Sequence, residues 1–256
     1  MARAMISAVS FIKVFIGSFF IQSSWSFEKM QGLGFASAIS PALDEIYGGD
    51  EAQKKGAYKR HLAFYNAHPY MASPVLGVAI NMEEKARRGE CAKEAPARFK
   101  SLVMGPYGAI GDAFFWGAAR PLASIAGVLA TVFWSMWGPL VFLVVYNLFH
   151  LLMRWYGLKK GIELGDGVVA FIKSLDLPML GVRLKYLSAA LLGVLCAASA
   201  VSLLPPSRGG AMTTALAIAA SVTAALLSGY AFKKGLTIQA LASIVLAPLI
   251  LYGIIF

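Results

Sequence analysis

Charge is what this sequence has least of. Asp, Glu, Lys and Arg make up 14 % of its 256 residues, and hydrophobic residues make up 58 %; a soluble domain carries about a quarter charged residues. Its mean hydropathy of +0.67 has the same sense. A water-soluble globular protein is thereby excluded, and an integral membrane protein is expected. Cysteine is scarcer still: Cys91 lies in a basic run and Cys196 inside an apolar one, which gives neither a disulfide framework nor a metal-ligand spacing. No phosphate loop and no zinc motif occurs. Hence no catalytic residue, no metal and no cofactor is expected. The net charge of +10 would suit nucleic acid, but the basic residues fall in short clusters between apolar runs. That is the pattern of cytoplasmic loops rather than of a groove-binding face, so the expected surroundings are membrane lipid and not nucleic acid.

What is abundant is apolar sequence punctuated by glycine and proline. The most telling run is 101–121, SLVMGPYGAIGDAFFWGAARP. Gly105, Pro106, Gly108, Gly111 and Gly117 interrupt it, and Asp112 is its single charge before Arg120 and Pro121. A carboxylate in a membrane segment is costly and usually faces a polar cavity or a partner. Backbone broken by glycine and proline persists at that depth only beside protein or water, and such segments point to a transporter's substrate site. Asp112 is therefore expected to line a polar pathway. The plainer alternative is a tightly packed helix pair with Asp112 in a structural hydrogen bond.

Taken in order, residues 4–27 suit an amphipathic or re-entrant helix better than a plain span, with Lys13 in their midst. They are expected to stay in the mature chain, because no clear signal-peptide cleavage site follows. Gln22, Ser23, Ser24, Trp25, Glu28 and Gln31 then cluster beside Gly32 and Gly34. Amides and hydroxyls beside an aromatic ring suit a neutral sugar; an interfacial anchor built on Trp25 fits the spacing equally well. Residues 47–60 read as a polar cytoplasmic break, followed by a helix in which His61, Tyr65 and His68 share a face. The histidines have no carboxylate or thiol at metal spacing and read as boundary and capping residues.

Ser73 reads as a helix N-cap with Pro74 at the first helical position, and the helix after it ends in the pairs Glu83–Arg87 and Glu84–Arg88. The basic tail 85–100 is placed in the cytoplasm. Residues 121–153 are uncharged, and Gly138-Pro139 divides them into a short segment, a kink and a firm span that ends at Arg154, Lys159 and Lys160. Residues 162–186 form an amphipathic cytoplasmic connector. Three spans close the chain, 187–204, 211–232 and 236–256, as a scaffold rich in small residues. The expected fold is an all-α polytopic helical bundle with broken or re-entrant helices and about four or five true spans. Its N-terminus is expected in the cytoplasm and its C-terminus outside.

Four blocks, in order, carry a resemblance: SFFIQSSWSFEKMQGLGFASAISPAL, KRHLAFYNAHPYMASPVLGVAINMEE, LVMGPYGAIGDAFFWGAARPL and GPLVFLVVYNLFHLLMRWYGLKKG. Together they cover most of residues 17–161, and the chain resembles the IID membrane subunit of the mannose/fructose/sorbose-type phosphotransferase sugar transporters. The resemblance implies a bacterial inner-membrane subunit that carries no phosphate itself. It would assemble with a IIC subunit, commonly as a trimer of such pairs, to shape the path of a mannose-type sugar. Cytoplasmic IIA and IIB proteins would relay phosphate, and IIB would phosphorylate the incoming sugar. By position, the family's polar and His-Pro motifs fall on Gln22, Ser24, Trp25, Glu28, Gln31, Asn66 and His68. Its glycine-rich block falls on Gly105, Pro106, Gly111, Asp112, Gly117, Arg120 and Pro121. Residues 1–161 are thus the family-matching region with the sugar-path residues, and 187–256 the scaffold. Tyr107, Ala63 and Ala113 depart from the family pattern, the N-terminus lacks the family's longer lead, and the region after Lys185 is shorter. A regulatory or receptor relative that kept the fold without transport is the alternative those departures leave open.

Overall fold

The computed structural model describes residues 6–202, with side chains as far as Cys196, and three single positions beyond: Ala215, Ala219 and Thr223. Apart from those positions, the expected spans 211–232 and 236–256 and the end of 187–204 lie outside the described residues. Two compact units divide the chain, Met1–Leu187 and Ser188–Phe256. The elements below form the first, and the last of them runs on into the second.

The described chain is all-α, as its composition and patterning predict. Its only strand-like pairings among the described residues are two isolated bridges, Ser26 with Met30 and Met30 with Tyr65. Helix α1 (Ala8–Gly17) passes into a 3₁₀ turn, Ser18–Phe20. At 1.5 Å per residue the stretch Ala8–Phe20 is about 20 Å long, short of the hydrocarbon thickness of a bilayer. Its start is tied to helix α2 (Gly32–Tyr47): the Ser7 amide and hydroxyl donate to the two oxygens of Glu45, at 2.7 and 2.9 Å.

Helix α3 (Glu51–His61) fills most of what reads as a polar break. Asp50 supplies the N-cap that the pattern DEAQ allows, accepting from the Gln53 amide at 3.1 Å. The helix stops at His61, so His61, Tyr65 and His68 do not share a helical face. Residues 62–71 are turn and extended chain instead, because the Asn-Ala-His-Pro sequence favours extended backbone before Pro69.

Helix α4 (Ala72–Arg87) begins two residues before the expected position, with Met71 as N-cap. Pro74 is still tolerated, because the first turn has no intrahelical partner for its N–H groups. The buried seam of the unit is α4 against α7 (Gly138–Leu164). A Cβ on Gly161 would lie 2.4 Å from the Pro74 carbonyl oxygen and 2.9 Å from Gly77 Cα. The two helices thus meet backbone to backbone, the close approach that small residues four apart permit. Asn81 locks the seam by donating to the Ile162 carbonyl at 2.8 Å.

The glycine- and proline-rich run does not break. Helix α5 (Ala95–Gly111) continues through Pro106 into a π-helical stretch, Asp112–Ala119, and then into α6 (Arg120–Trp134). The irregularity is taken up inside the helix as a widened turn, a feature that often accompanies functional positions. After the 3₁₀ turn Ser135–Trp137, with Ser135 at φ 52°, α7 returns along α6, and Gly127 faces Phe142. The expected kink at Gly138-Pro139 is thus a reversal into a helical hairpin. Helix α7 runs past Arg154, Lys159 and Lys160 to Leu164, and Arg154 is buried. A 3₁₀ turn (Gly165–Gly167), α8 (Val168–Ser174) and α9 (Leu177–Ser202) complete the described chain. Among the described residues, one stretch long and apolar enough to cross a membrane is found, within the succession of helices from Ala95 to Cys196.

Candidate functional site

Two irregular segments, 21–31 and 62–71, are laced together and then seated on the π-helical stretch. The Gln31 amide N–H donates to the Tyr65 carbonyl at 2.8 Å, and the Tyr65 N–H donates to the Lys29 carbonyl at 3.3 Å. The Gln31 side chain copies a strand pairing: its Nε2 donates to the Ala67 carbonyl at 2.8 Å and its Oε1 accepts from the Ala67 N–H at 3.2 Å. Gln31 is buried, and both ends of its amide are paired with the Ala67 backbone.

Next along the chain, His68 is also buried. Its ring stacks on Phe115 (centroids 5.0 Å apart, 19° between planes) and meets Trp116 edge-on at 4.9 Å. This seat requires glycine at 111, where a Cβ would come within 2.3 Å of His68 Cβ. His68 Nδ1 accepts from the Tyr70 N–H at 3.3 Å, which leaves Nε2 to carry the proton. Nε2 has no hydrogen-bond partner among the described residues.

The structure therefore brings Gln31, His68, Gly111 and Trp116 into one contact chain, with Asp112 next to Gly111. The other expected site residues stand on the surface of this chain. Gln22, Ser24, Trp25, Glu28, Asn66 and Asp112 are all exposed, as are Gly105, Pro106, Gly117, Arg120 and Pro121. Trp25 lies edge-on to the exposed Phe27, with centroids 4.8 Å apart. Hydroxyls, amides and two carboxylates near aromatic rings can hydrogen-bond and stack on a neutral polyol. Among the described residues there is no grouping of three or more His, Cys, Asp or Glu able to hold a metal ion.

Two buried charged clusters escaped the sequence reading. Glu83 does not pair with Arg87. Its carboxylate, wholly buried, accepts from Arg60 Nη2 at 2.6 Å, from the Tyr47 hydroxyl at 2.6 Å and from His61 Nε2 at 2.8 Å. Arg87 instead donates to the Tyr47 carbonyl at 3.3 Å, whereas Glu84 and Arg88 do pair, at 3.6 Å. Burial alone would raise the Glu83 pKa, but the hydrogen bonds from His61 and Arg60 outweigh it and hold the carboxyl down at about 2. His61, excluded from water, is pushed down to about 4 in spite of the Glu83 hydrogen bond. It is thus neutral at pH 7 and donates from Nε2. Burial, with the hydrogen bond to Glu83, raises the Tyr47 phenol above its ordinary value. Lys100 reaches the same spot, donating to the His61 carbonyl at 3.3 Å with its ammonium 4.4 Å from the Phe35 ring centroid.

The second cluster surrounds Arg154. Its Nη1 donates to the carbonyl of Ser18 and, at 3.0 Å, to the Ser18 hydroxyl, and the guanidinium lies over Phe19 and Tyr70 at 4.7 and 5.1 Å. A cation here satisfies the Ser18 carbonyl just past the end of α1, where the helix dipole is negative. It also anchors the start of the segment that carries Gln22 to Gln31. The one available sequence signal was an arginine one residue past a long uncharged run.

An apolar chain whose described elements are all helical, with its polar candidate groups on its own surface, has the character of a membrane protein. The family is shown by comparison. The model of the mannose/fructose/sorbose family IID component of the phosphotransferase system (PTS) matches residues 5–244, and the chain belongs to that family. It is 38 % identical over 157 residues to the PTS mannose-specific EIID component of Escherichia coli strain K12, covering 61 % of this chain and 56 % of that protein. It is 33 % identical over 171 residues to the sorbose-specific EIID component of Klebsiella pneumoniae, covering 66 % and 62 %. With the fructose permease IID component of Bacillus subtilis strain 168 the identity is 35 % over 149 residues, covering 58 % and 54 %. The chain spans little more than half the length of these relatives. Among solved structures it is similar to a chain of the cryo-EM complex of the mannose transporter ManYZ with microcin E492. That match has a TM-score of 0.60 and 34 % identity and covers 75 % of this chain and 70 % of that one. A second structure, described as a membrane protein, matches with TM-score 0.66 at 34 % identity, covering 74 % and 70 %.

Proposed function

We propose that this chain is the IID component of a phosphoenolpyruvate-dependent phosphotransferase system in a bacterial inner membrane. With a IIC subunit it forms the path of a mannose-type sugar, which IIB phosphorylates during uptake after receiving phosphate from IIA. The observation that carries this reading is the family match over residues 5–244. The exposure of Trp25, Glu28, Asn66 and Asp112 supports it, because these groups have chemistry suited to a sugar and are left open to a partner. A site completed by a second subunit is what such a surface suits, and a trimer of IIC–IID pairs is the assembly proposed. The chain would cross the membrane four or five times with its N-terminus in the cytoplasm and its C-terminus outside, and residues 162–186 would connect helices at the cytoplasmic face.

The test is uptake. Deleting the gene should abolish phosphoenolpyruvate-dependent uptake of a mannose-class sugar, and the intact gene should restore it only when the IIC gene is present. Unchanged uptake across a panel of hexoses overturns the proposal.

A further inference from the structure

Two grooves open side by side around Phe114 and Leu177, which line both. One, of about 240 Å³, lies among α7, α8 and the π-helical stretch and is walled by Phe114, Phe149, Tyr156, Phe171, Leu177 and Leu180, among other apolar groups. The other, of about 300 Å³, follows the start of α9 past Ala113, Pro178 and Gly181 and ends at Lys185. Gly181 keeps this second groove open, since a Cβ there would already touch the Phe114 ring at 3.7 Å and Ala118 at 3.8 Å. Among the described residues Lys185 is the only charged group lining either groove, and it has no acidic partner among the described ion pairs.

An apolar trough with a single cation at one end matches a molecule with a hydrocarbon tail and one negative head. In a membrane, basic groups between helices at the cytoplasmic side recruit acidic lipid head groups, each lysine adding measurably to retention. We infer that this double groove seats an anionic phospholipid, its acyl chain along Phe114 and Leu177 and its phosphate at Lys185. A zwitterionic lipid carries a cation beside its phosphate and so offers no net negative charge to the ammonium, and free phosphate lacks the tail that fills the trough.

Native mass spectrometry of the full chain in detergent, titrated with dioleoyl-phosphatidylglycerol or dioleoyl-phosphatidylcholine, tests this. The wild type should retain phosphatidylglycerol preferentially. Lys185→Gln should lower that retention about fivefold, the effect of one lysine near an anionic head group, and Lys185→Arg should restore it. Gly181→Leu, which fills the groove, should lower retention of both lipids. Ala113→Leu, from the opposite wall, should do the same and guards against a folding defect at 181. Inorganic phosphate should not displace the lipid. Wild-type retention by Lys185→Gln, or by both groove-filling variants, overturns the inference and assigns the groove to residues 203–256 or to a protein partner. Displacement by phosphate alone overturns it too, since the tail would then contribute nothing.

Discussion

At the scale of single residues, Glu83 and Asp112 show how differently one carboxylate and another can be used. Glu83 is wholly buried and satisfies Arg60, His61 and Tyr47 together. Removing its charge leaves Arg60 half-buried without an anion. Breaking one partner of a buried ion pair costs about 3 to 5 kcal/mol, so Glu83→Gln should lower the thermal midpoint of the purified chain sharply. The pH dependence follows from the same cluster. His61 has its pKa lowered from 6.5 to about 4. Between those values the unfolded imidazole binds a proton that the folded one does not, so stability falls as pH drops from 6.5 to about 4. Glu83, lowered from 4.5 to about 2, continues the loss below pH 4.5 as the solution approaches its folded value. His61→Gln should make the upper interval shallower, with His68, whose pKa burial also lowers to about 4, supplying part of what remains, and should leave the lower one; thermal unfolding in detergent from pH 3 to 8 would show it.

Asp112 is exposed and stabilises nothing visible in the described chain, whereas both ends of the Gln31 amide are occupied by Ala67. Asp112→Asn should therefore abolish uptake without moving the thermal midpoint. Gln31→Ala should lower both, by about 1 to 3 kcal/mol in stability, because it strands a buried peptide group. Uptake by Asp112→Asn equal to the wild type would remove Asp112 from the proposed path. Equal stability of Gln31→Ala would show that the Gln31–Ala67 pairing contributes nothing to holding the two segments.

At the scale of elements, the α4–α7 seam decides where polar segments are held. Gly161→Ala should force the helices apart, because its Cβ meets backbone at Pro74 and Gly77 rather than a movable side chain. Overpacking of this kind costs about 1 to 3 kcal/mol, to be read as a fall in the thermal midpoint. Gly105 offers the contrast: a Cβ there meets nothing within 4 Å. Gly105→Ala should leave stability equal or raised by up to about 1 kcal/mol through helix propensity. If it nonetheless stops uptake, the glycine is needed by something outside this chain.

The elements were unequally legible in the sequence. Apolar length marked α1 and α7, and charge marked the end of α4. The helix α3 and the break after His61 were displaced, because polar residues such as Glu51, Gln53 and Lys54 read as loop and yet form a capped helix. The π-helical stretch was visible only as an excess of glycine around Asp112. Sequence spacing says that such a run is irregular, but not whether it breaks or widens.

At the scale of the whole molecule, the exposed apolar faces of α6 and α7, with Val132, Phe133, Trp134, Leu140 and Val144 among them, describe a chain surrounded by lipid or by other helices. Co-expression with the proposed IIC partner should co-purify a stable pair in detergent, and Asp112→Asn should preserve that pair while losing uptake. Recovery of this chain alone under conditions that keep other membrane complexes intact would count against the assembly.

The sequence by itself determined what composition and local order can carry: a helical membrane protein, its family, and a polar tract of Gln22, Ser24, Trp25 and Glu28 beside Gly32 and Gly34. Only the tertiary structure decided which polar residues are structural. Glu83 could have paired with Arg87 one turn away, and Arg154 could have marked a membrane edge. Instead, α4 packs against α7, and Arg60 and His61 reach Glu83 from the end of α3. The reason is physical. Pairing within a helix is a matter of spacing and can be read along the chain, whereas a buried charge takes whichever partner the packing of distant backbones brings within about 3 Å.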